Sequence, residues 1–204
     1  RTQHNGDSET VTEPLLKVDG LTKRFGGLVA NDGIALEIMA GELHAVIGPN
    51  GAGKTTLIGL LAGEMAPDAG SIIVAGRDLT HTPVYDRARF GLARSFQITS
   101  VFSNLTVLDN VILAVQAHAG HSFQFWHPAR SKASLRNPAL DALNLVGLTE
   151  RAHEMATNVS HGERRQLEIA MALAIEPKLL LLDEPTAGMG TDESRRMTAL
   201  LQRL

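Results

Sequence analysis

Gly48-Pro49-Asn50-Gly51-Ala52-Gly53-Lys54-Thr55-Thr56 stands between two apolar runs, Leu43 to Ile47 before it and Leu57-Ile58-Gly59-Leu60-Leu61 after it. It reads G-x-x-x-x-G-K-T, and the flanks predict strand, loop and helix in that order. Glycines let such a loop curl until successive N–H groups point inward at phosphate oxygens. The positive end of the following helix adds to that attraction. In this pattern Lys54 reaches the β- and γ-phosphates, and the Thr55 hydroxyl holds Mg2+. The competing reading is a chance glycine-rich turn. Every fixed position of the pattern is filled, however, so a nucleoside triphosphate is the expected ligand.

Outward from this loop, short apolar runs at 15–24, 34–39, 43–47 and 71–74 alternate with glycine turns, with one helix expected at 54–63. This predicts a strand-rich start joined to a nucleotide-binding β-α unit. Residues 98–160 change character. Val107, Leu108, Val111, Ile112 and Val115 fall at helical spacing, 131–137 reads as a basic linker, and Pro138 stands at the start of a helix, Ala139–Val146, closed by Gly147. A helical lobe inserted between two halves of a core accounts for this order. Further on, Leu167, Ala170, Met171 and Ala174 mark one face of a helix, and Leu179 to Leu182 reads as a buried parallel strand. Met197, Leu200, Leu201 and Leu204 predict an amphipathic helix with Asp192 and Glu193 in its first turn. The domain expectation is a flexible tail at 1–14, a core at 15–97 and 177–204, and a helical lobe at 98–176.

Composition narrows the function classes. A net charge of −3 with one Trp and one Tyr offers no electrostatic footprint or stacking platform for nucleic acid, so no nucleic-acid partner is expected. The absence of cysteine excludes disulfides and thiolate metal sites. Residues 110–129 carry no Asp, Glu, Lys or Arg, yet their His, Gln, Ser and Pro make a membrane span costly. They read as a buried or docking segment. No signal peptide is visible, and no transmembrane segment is expected.

Leu179-Leu180-Leu181-Leu182-Asp183-Glu184-Pro185 is the natural partner of the phosphate loop. A strand apolar on both faces delivers Asp183 at its carboxyl end, where open α/β sheets bind ligands. Asp183 can then hold the Mg2+ shell, and Glu184 can orient or deprotonate the water that attacks the γ-phosphate. Val159-Ser160-His161-Gly162-Glu163 opens the preceding helix. Ser160 with Glu163 three positions later makes a capping box, which explains the residues by itself. The functional alternative is that Ser160 and the Gly162 backbone bind a phosphate at this helix start.

These three motifs, in this order, resemble those of ATP-binding-cassette (ABC) ATPases, with Val159–Glu163 in the place of the family's signature L-S-G-G-Q. The resemblance implies an α/β fold: a phosphate-loop (RecA-like) ABC ATPase core with an N-terminal antiparallel β region and an inserted α-helical lobe. It implies ATP and Mg2+ as cofactors, and a second ABC ATPase subunit whose phosphate loop is closed over by Ser160 and Gly162 in trans. Gln97, in Arg94-Ser95-Phe96-Gln97, matches the glutamine that touches Mg2+ and the attacking water. Phe25, in Lys23-Arg24-Phe25-Gly26-Gly27, matches the aromatic that stacks on adenine; a core phenylalanine is the competing reading. Within the family, Phe25-Gly26-Gly27-Leu28, Leu105 to Asn110, Glu163 to Ala170 and Glu184 to Met189 look closest to the ATP-binding subunits of branched-chain amino acid importers. Urea importers and a lipopolysaccharide exporter share much of this.

The implied role is that of an ATP-driven subunit at the cytoplasmic face of the inner or plasma membrane, moving transmembrane permease subunits. A permease helix is expected against Ile98 to Leu105. The other classes are a soluble ABC protein acting on DNA or ribosomes, and a regulatory cassette that only binds nucleotide. Three departures from the family pattern stand out. His161 and Glu163 replace Gly and Gln of the signature, and Gly190 stands where many members have an aspartate. Only 20 residues follow Glu184 (204 − 184), short of the family's switch histidine, so turnover by this chain alone is expected to be poor.

Overall fold

The computed structural model describes residues 13–94, 101–119 and 132–204. The expected tail at 1–14 therefore falls almost wholly outside the described residues. So do Gln97, Ile98 and most of the charge-free stretch after Asn110.

Two long strands open the chain, β1 (Leu16–Phe25) and β2 (Leu28–Ile38), joined by the Gly26-Gly27 turn. With β3 (Ala69–Val74) and β4 (Arg77–Asp78) they form an antiparallel sheet in the order β2-β1-β3-β4. Leu16, Val18 and Leu21 are buried, and the register slips between Val18 and Leu21 and twice more before Arg24. Such irregularities bend a strand and re-aim its side chains. They leave the end of β1, with Phe25, projecting beyond the core. Asp68 fixes that end by accepting from the Arg24 N–H (2.6 Å) and Lys23 Nζ (3.1 Å). These donors, the backbone N–H first, hold the Asp68 carboxyl below its usual range.

Helix α1 (Lys54–Ala62) follows the phosphate loop, as expected. Leu57, Leu60 and Leu61 pack under the sheet with Leu16, Leu21 and Ile72. Next come α2 (Val84–Arg89) and β5 (Leu92–Arg94), neither of which was expected. Arg87 of α2 is the largest fully buried side chain among the described residues, and its guanidinium donates to the carbonyls of Leu60, Leu61, Thr80 and Thr82. It thus joins the Gly63 N–H on the Leu60 carbonyl and satisfies that of Leu61 in the last turn of α1, where helical partners run out. Burial lowers its pKa.

The helical part consists of α3 (Val107–His118), α4 (Ala133–Val146), a 3₁₀ turn (Thr149–Arg151) and α5 (His161–Leu173). The linker expected at 131–137 is replaced from Ala133 by helix, with Pro138 inside it. Pro138 forgoes one helical hydrogen bond. Leu135, Ala139, Ala142, Leu143 and Val146 nevertheless form one buried face, and that burial holds the first turns in place.

Strand β6 (Leu179–Leu181) pairs in parallel with β5, Leu92 opposite Leu179 and Arg94 opposite Leu181, as its apolarity predicts. Helix α6 (Thr191–Leu201) closes the chain. Met197 and Leu200 of α6 pack with the buried residues of α3, α4 and α5, not with the cluster beneath the antiparallel sheet. Leu204, expected on the same apolar face, lies past the helix and is exposed.

One strand expectation fails. Leu43 to Ile47 adopts no regular structure, and Ile47 is 91% exposed. An apolar run becomes a strand only when a neighbour takes up its N–H and C=O groups. The described strands pair among themselves and leave these groups without one.

Candidate functional site

Gly53 and Lys54 mark the passage from loop to helix. Gly53 is the N-cap of α1 with φ +84°, a left-handed conformation that L side chains avoid. A Cβ there would also collide with the Ala30 carbonyl oxygen of β2. Asn31, buried in the same strand, donates to the Gly53 carbonyl at 3.3 Å. The loop is therefore seated on β2 through backbone contacts that only glycine permits.

No side chain caps α1 and no carboxylate stands in its first turn. By contrast, α3 is capped by Thr106 and α5 by Ser160, each with an acidic residue in the first turn. The start of α1 thus keeps N–H groups and a positive end available to an anion. Lys54 Nζ donates to the carbonyls of Gly48 and Pro49, each at 2.8 Å, leaving one of its three donors for a ligand.

A cavity of about 270 Å³ opens over this loop, lined by Phe25, Leu28, Val29, Ala30, Asn50, Gly51, Gly53, Lys54, Thr55, Thr56 and Glu184. One end is apolar, supplied by the β1–β2 hairpin. The other is built from the loop and Glu184. Phe25 is 48% exposed, so it belongs to this wall and not to the core. Gly48, Pro49 and Ala52 shape the loop without lining the cavity. Glu184 sits at φ +46°, an uncommon conformation for a residue with a side chain and one that concentrates at functional sites.

Asp183 does not line the cavity. It is buried, and among the described residues its Oδ2 accepts no hydrogen bond; Arg94 Nη2 stands 3.6 Å away, an ion pair only. An orphaned carboxylate oxygen is what a hard cation such as Mg2+ takes, and Thr55 supplies a second oxygen type on the cavity side. The donor set fits the metal. Gln97, the third expected ligand, lies outside the described residues.

Ser160 and Gly162 sit at the start of α5, away from this cavity. Ser160 Oγ accepts from the Glu163 N–H (3.1 Å), and the Ser160 N–H donates to Glu163 Oε2 (2.7 Å), the expected capping box. The Ser160 N–H, first among several causes, lowers the Glu163 pKa. A Cβ on Gly162 would stand 2.8 Å from the Glu193 carboxyl of α6, so this corner admits only glycine without adjustment.

Sequence reasoning missed Ala30, Asn31 and Asp68, which seat the loop and the aromatic. Nothing local marks them, because each acts on a residue more than twenty positions distant.

The ABC transporter family model matches residues 31–187, which include the loop, the α5 start and the Asp183-Glu184 pair. The chain belongs to the ABC transporter family. Among curated ABC proteins it is 38% identical to the high-affinity branched-chain amino acid transport ATP-binding protein LivG of Salmonella typhimurium, over 95% of this chain and 78% of that protein. The corresponding protein BraF of Pseudomonas aeruginosa is 37% identical over the same shares. The sulfate/thiosulfate import ATP-binding protein CysA of Bordetella pertussis is 39% identical, over 93% of this chain and 51% of that one. The ADP conformation of MJ1267, an ATP-binding cassette of an ABC transporter, superposes with TM-score 0.82 at 26% identity, over 94% of this chain and 77% of that one. A dimeric post-hydrolysis state of the cassette MJ0796, bound to ADP and Pi, gives TM-score 0.75 at 25% identity, over 93% and 82%. This ABC chain is therefore a transporter ATPase of the cassette fold, and branched-chain amino acid transport proteins are among its relatives. No helix among the described residues is long and apolar enough to cross a membrane.

Proposed function

We propose that the chain binds and hydrolyses Mg·ATP to drive a membrane importer of branched-chain or related amino acids. The observation that carries the reading is the single cavity joining Phe25, the loop from Asn50 to Thr56, and Glu184. Phe25 stacks on adenine while Leu28 and Val29 cover its edge. The loop N–H groups, Lys54 and the α1 start hold the phosphates. Thr55, Asp183 and Gln97 hold Mg2+, which, when bound, offsets charge on the β- and γ-phosphate oxygens. Glu184 orients the attacking water and takes its proton.

Ser160 and Gly162 lie away from this cavity, which supports a role in trans: the α5 start of one subunit closes over nucleotide held by another. Residues 15–97 and 177–204 form the nucleotide core and 98–176 the lobe; the two separate buried clusters favour this division, with α6 leaning onto the lobe side. Between α2, β5, α3 and α5 lies a larger, mainly apolar cleft of about 710 Å³. Phe102, from the stretch expected to receive a permease helix, is exposed. A permease segment docks there and places the chain peripherally at the cytoplasmic membrane face.

The test is co-purification of the full chain from its own cells. Recovery of an amino-acid-type permease supports the reading, whereas stoichiometric association with ribosomes or DNA overturns it. Dimerisation is checked by sedimentation with and without Mg·ATP. Ser160→Arg is expected to abolish ATP-dependent dimers while leaving nucleotide binding by the monomer intact.

A further inference from the structure

Arg94, the last residue of β5, lies between two carboxylates that belong to different parts of the molecule. Its Nη2 stands 3.6 Å from Asp183 Oδ2 at the end of β6, and its Nη1 pairs with Glu64 Oε2, just beyond α1. The side chains of Arg94 and Asp183 are only 9% and 3% exposed, whereas Glu64 is 42% exposed. Arg94 and Glu64 both line the large apolar cleft, and Asp183 does not.

The guanidinium contacts Glu64 and stands in ion-pair range of Asp183, too far for a hydrogen bond to it. Among the described residues Nε and Nη1 have no partner in hydrogen-bond geometry, although Nη1 is in contact with Glu64. A buried arginine normally satisfies its planar fork with two-pronged bonds, as Arg87 does here. A buried carboxylate, in turn, is costly without a nearby positive charge. We propose that Arg94 is a positioning residue that serves as a place-holder cation: it neutralises Asp183 while no metal is bound and yields it to Mg2+ while keeping its pair with Glu64. The inference rests on Asp183 being the metal carboxylate of the proposed function.

Two opposite substitutions follow from this geometry. Arg94→Met leaves Asp183 without a counter-charge, so Asp183 gains more from the metal. Glu64→Gln removes the competing acid, so Arg94 holds Asp183 more tightly against the metal. The readout is a binding ratio, not turnover: the Kd of a fluorescent ATP analogue in EDTA divided by its Kd in saturating Mg2+. Arg94→Met is expected to raise that ratio about fivefold or more, and Glu64→Gln to lower it by a similar factor. A merely structural role would weaken binding equally in EDTA and Mg2+. Unchanged ratios, or ratios that move in the same direction, overturn the inference while normal binding leaves the nucleotide site standing. If Arg94→Met does not fold, Glu64→Gln on the partly exposed rim decides by itself. If the unsubstituted chain binds the analogue with no Mg2+ dependence, the metal assignment of Asp183 fails and takes this inference with it.

Discussion

Gly51→Ala and Gly53→Ala form a matched pair that isolates how the phosphate loop is seated. Both glycines have φ +84°, so alanine at either position meets the left-handed penalty, about 1–2 kcal/mol. Their surroundings differ. A Cβ on Gly51 meets nothing within 4 Å, whereas one on Gly53 runs into the Ala30 carbonyl oxygen and stands 3.0 Å from Asn31 Nδ2. The obstacle is the backbone of β2, itself paired to β1, so it cannot rotate away as a side chain would. Overpacking of this kind adds about 1–3 kcal/mol. If the loop lifts off β2 to relieve it, that same energy opposes the bound geometry, and affinity falls about 5- to 150-fold below Gly51→Ala. If the fold absorbs it, the melting temperature drops by roughly 2–4 °C per kcal/mol for a domain of this size. Calorimetric titration with ATP and thermal melts of both variants measure the two routes. Equal melts and equal affinities for the pair would refute the seating of the loop on β2.

Four further outcomes are expected. Arg87→Met strands buried carbonyls at the end of α1 and lowers stability by about 2–3 kcal/mol in denaturant titration. Asp68→Asn weakens the clamp on Arg24 and Lys23, so Phe25 loses its fixed place; ATP affinity falls several-fold while inorganic triphosphate affinity, which needs no aromatic, holds. Ser160→Ala removes the α5 cap and costs about 1 kcal/mol. Because the folded Glu163 pKa is depressed, its contribution is complete above the ordinary glutamate pKa and is lost as pH falls through the folded value. Glu163→Gln should therefore show a shallower loss of stability than the parent over that acid range in melts recorded against pH.

Where the chain's chemistry is local, its structure was legible in the sequence. The α5 capping box depends on neighbours three positions apart, and the loop and the strand before Asp183 announce themselves by local patterns of glycine and of unbroken apolarity. The 131–137 segment shows the limit: its basic sequence, followed by Pro138, reads as a linker, but Leu135 joins the buried face of α4 and draws the helix over it. Leu43 to Ile47 shows the reverse, since pairing depends on a partner that no local pattern encodes. Arg87 and Asn31 are ordinary surface residue types by composition. Their burial follows from the two ends of α1 meeting them in space, more than twenty residues away in sequence.

The central claim is that the cavity over the phosphate loop is an ATPase site with Glu184 as its base. Parallel measurement of ATP binding and Mg·ATP hydrolysis, for the parent and Glu184→Gln assembled with the co-purified transporter partners, tests it most directly. The expected result is unchanged binding within about twofold and turnover reduced on the order of 10²-fold or more, the scale of a lost general base. Equal turnover in the two proteins would contradict the account.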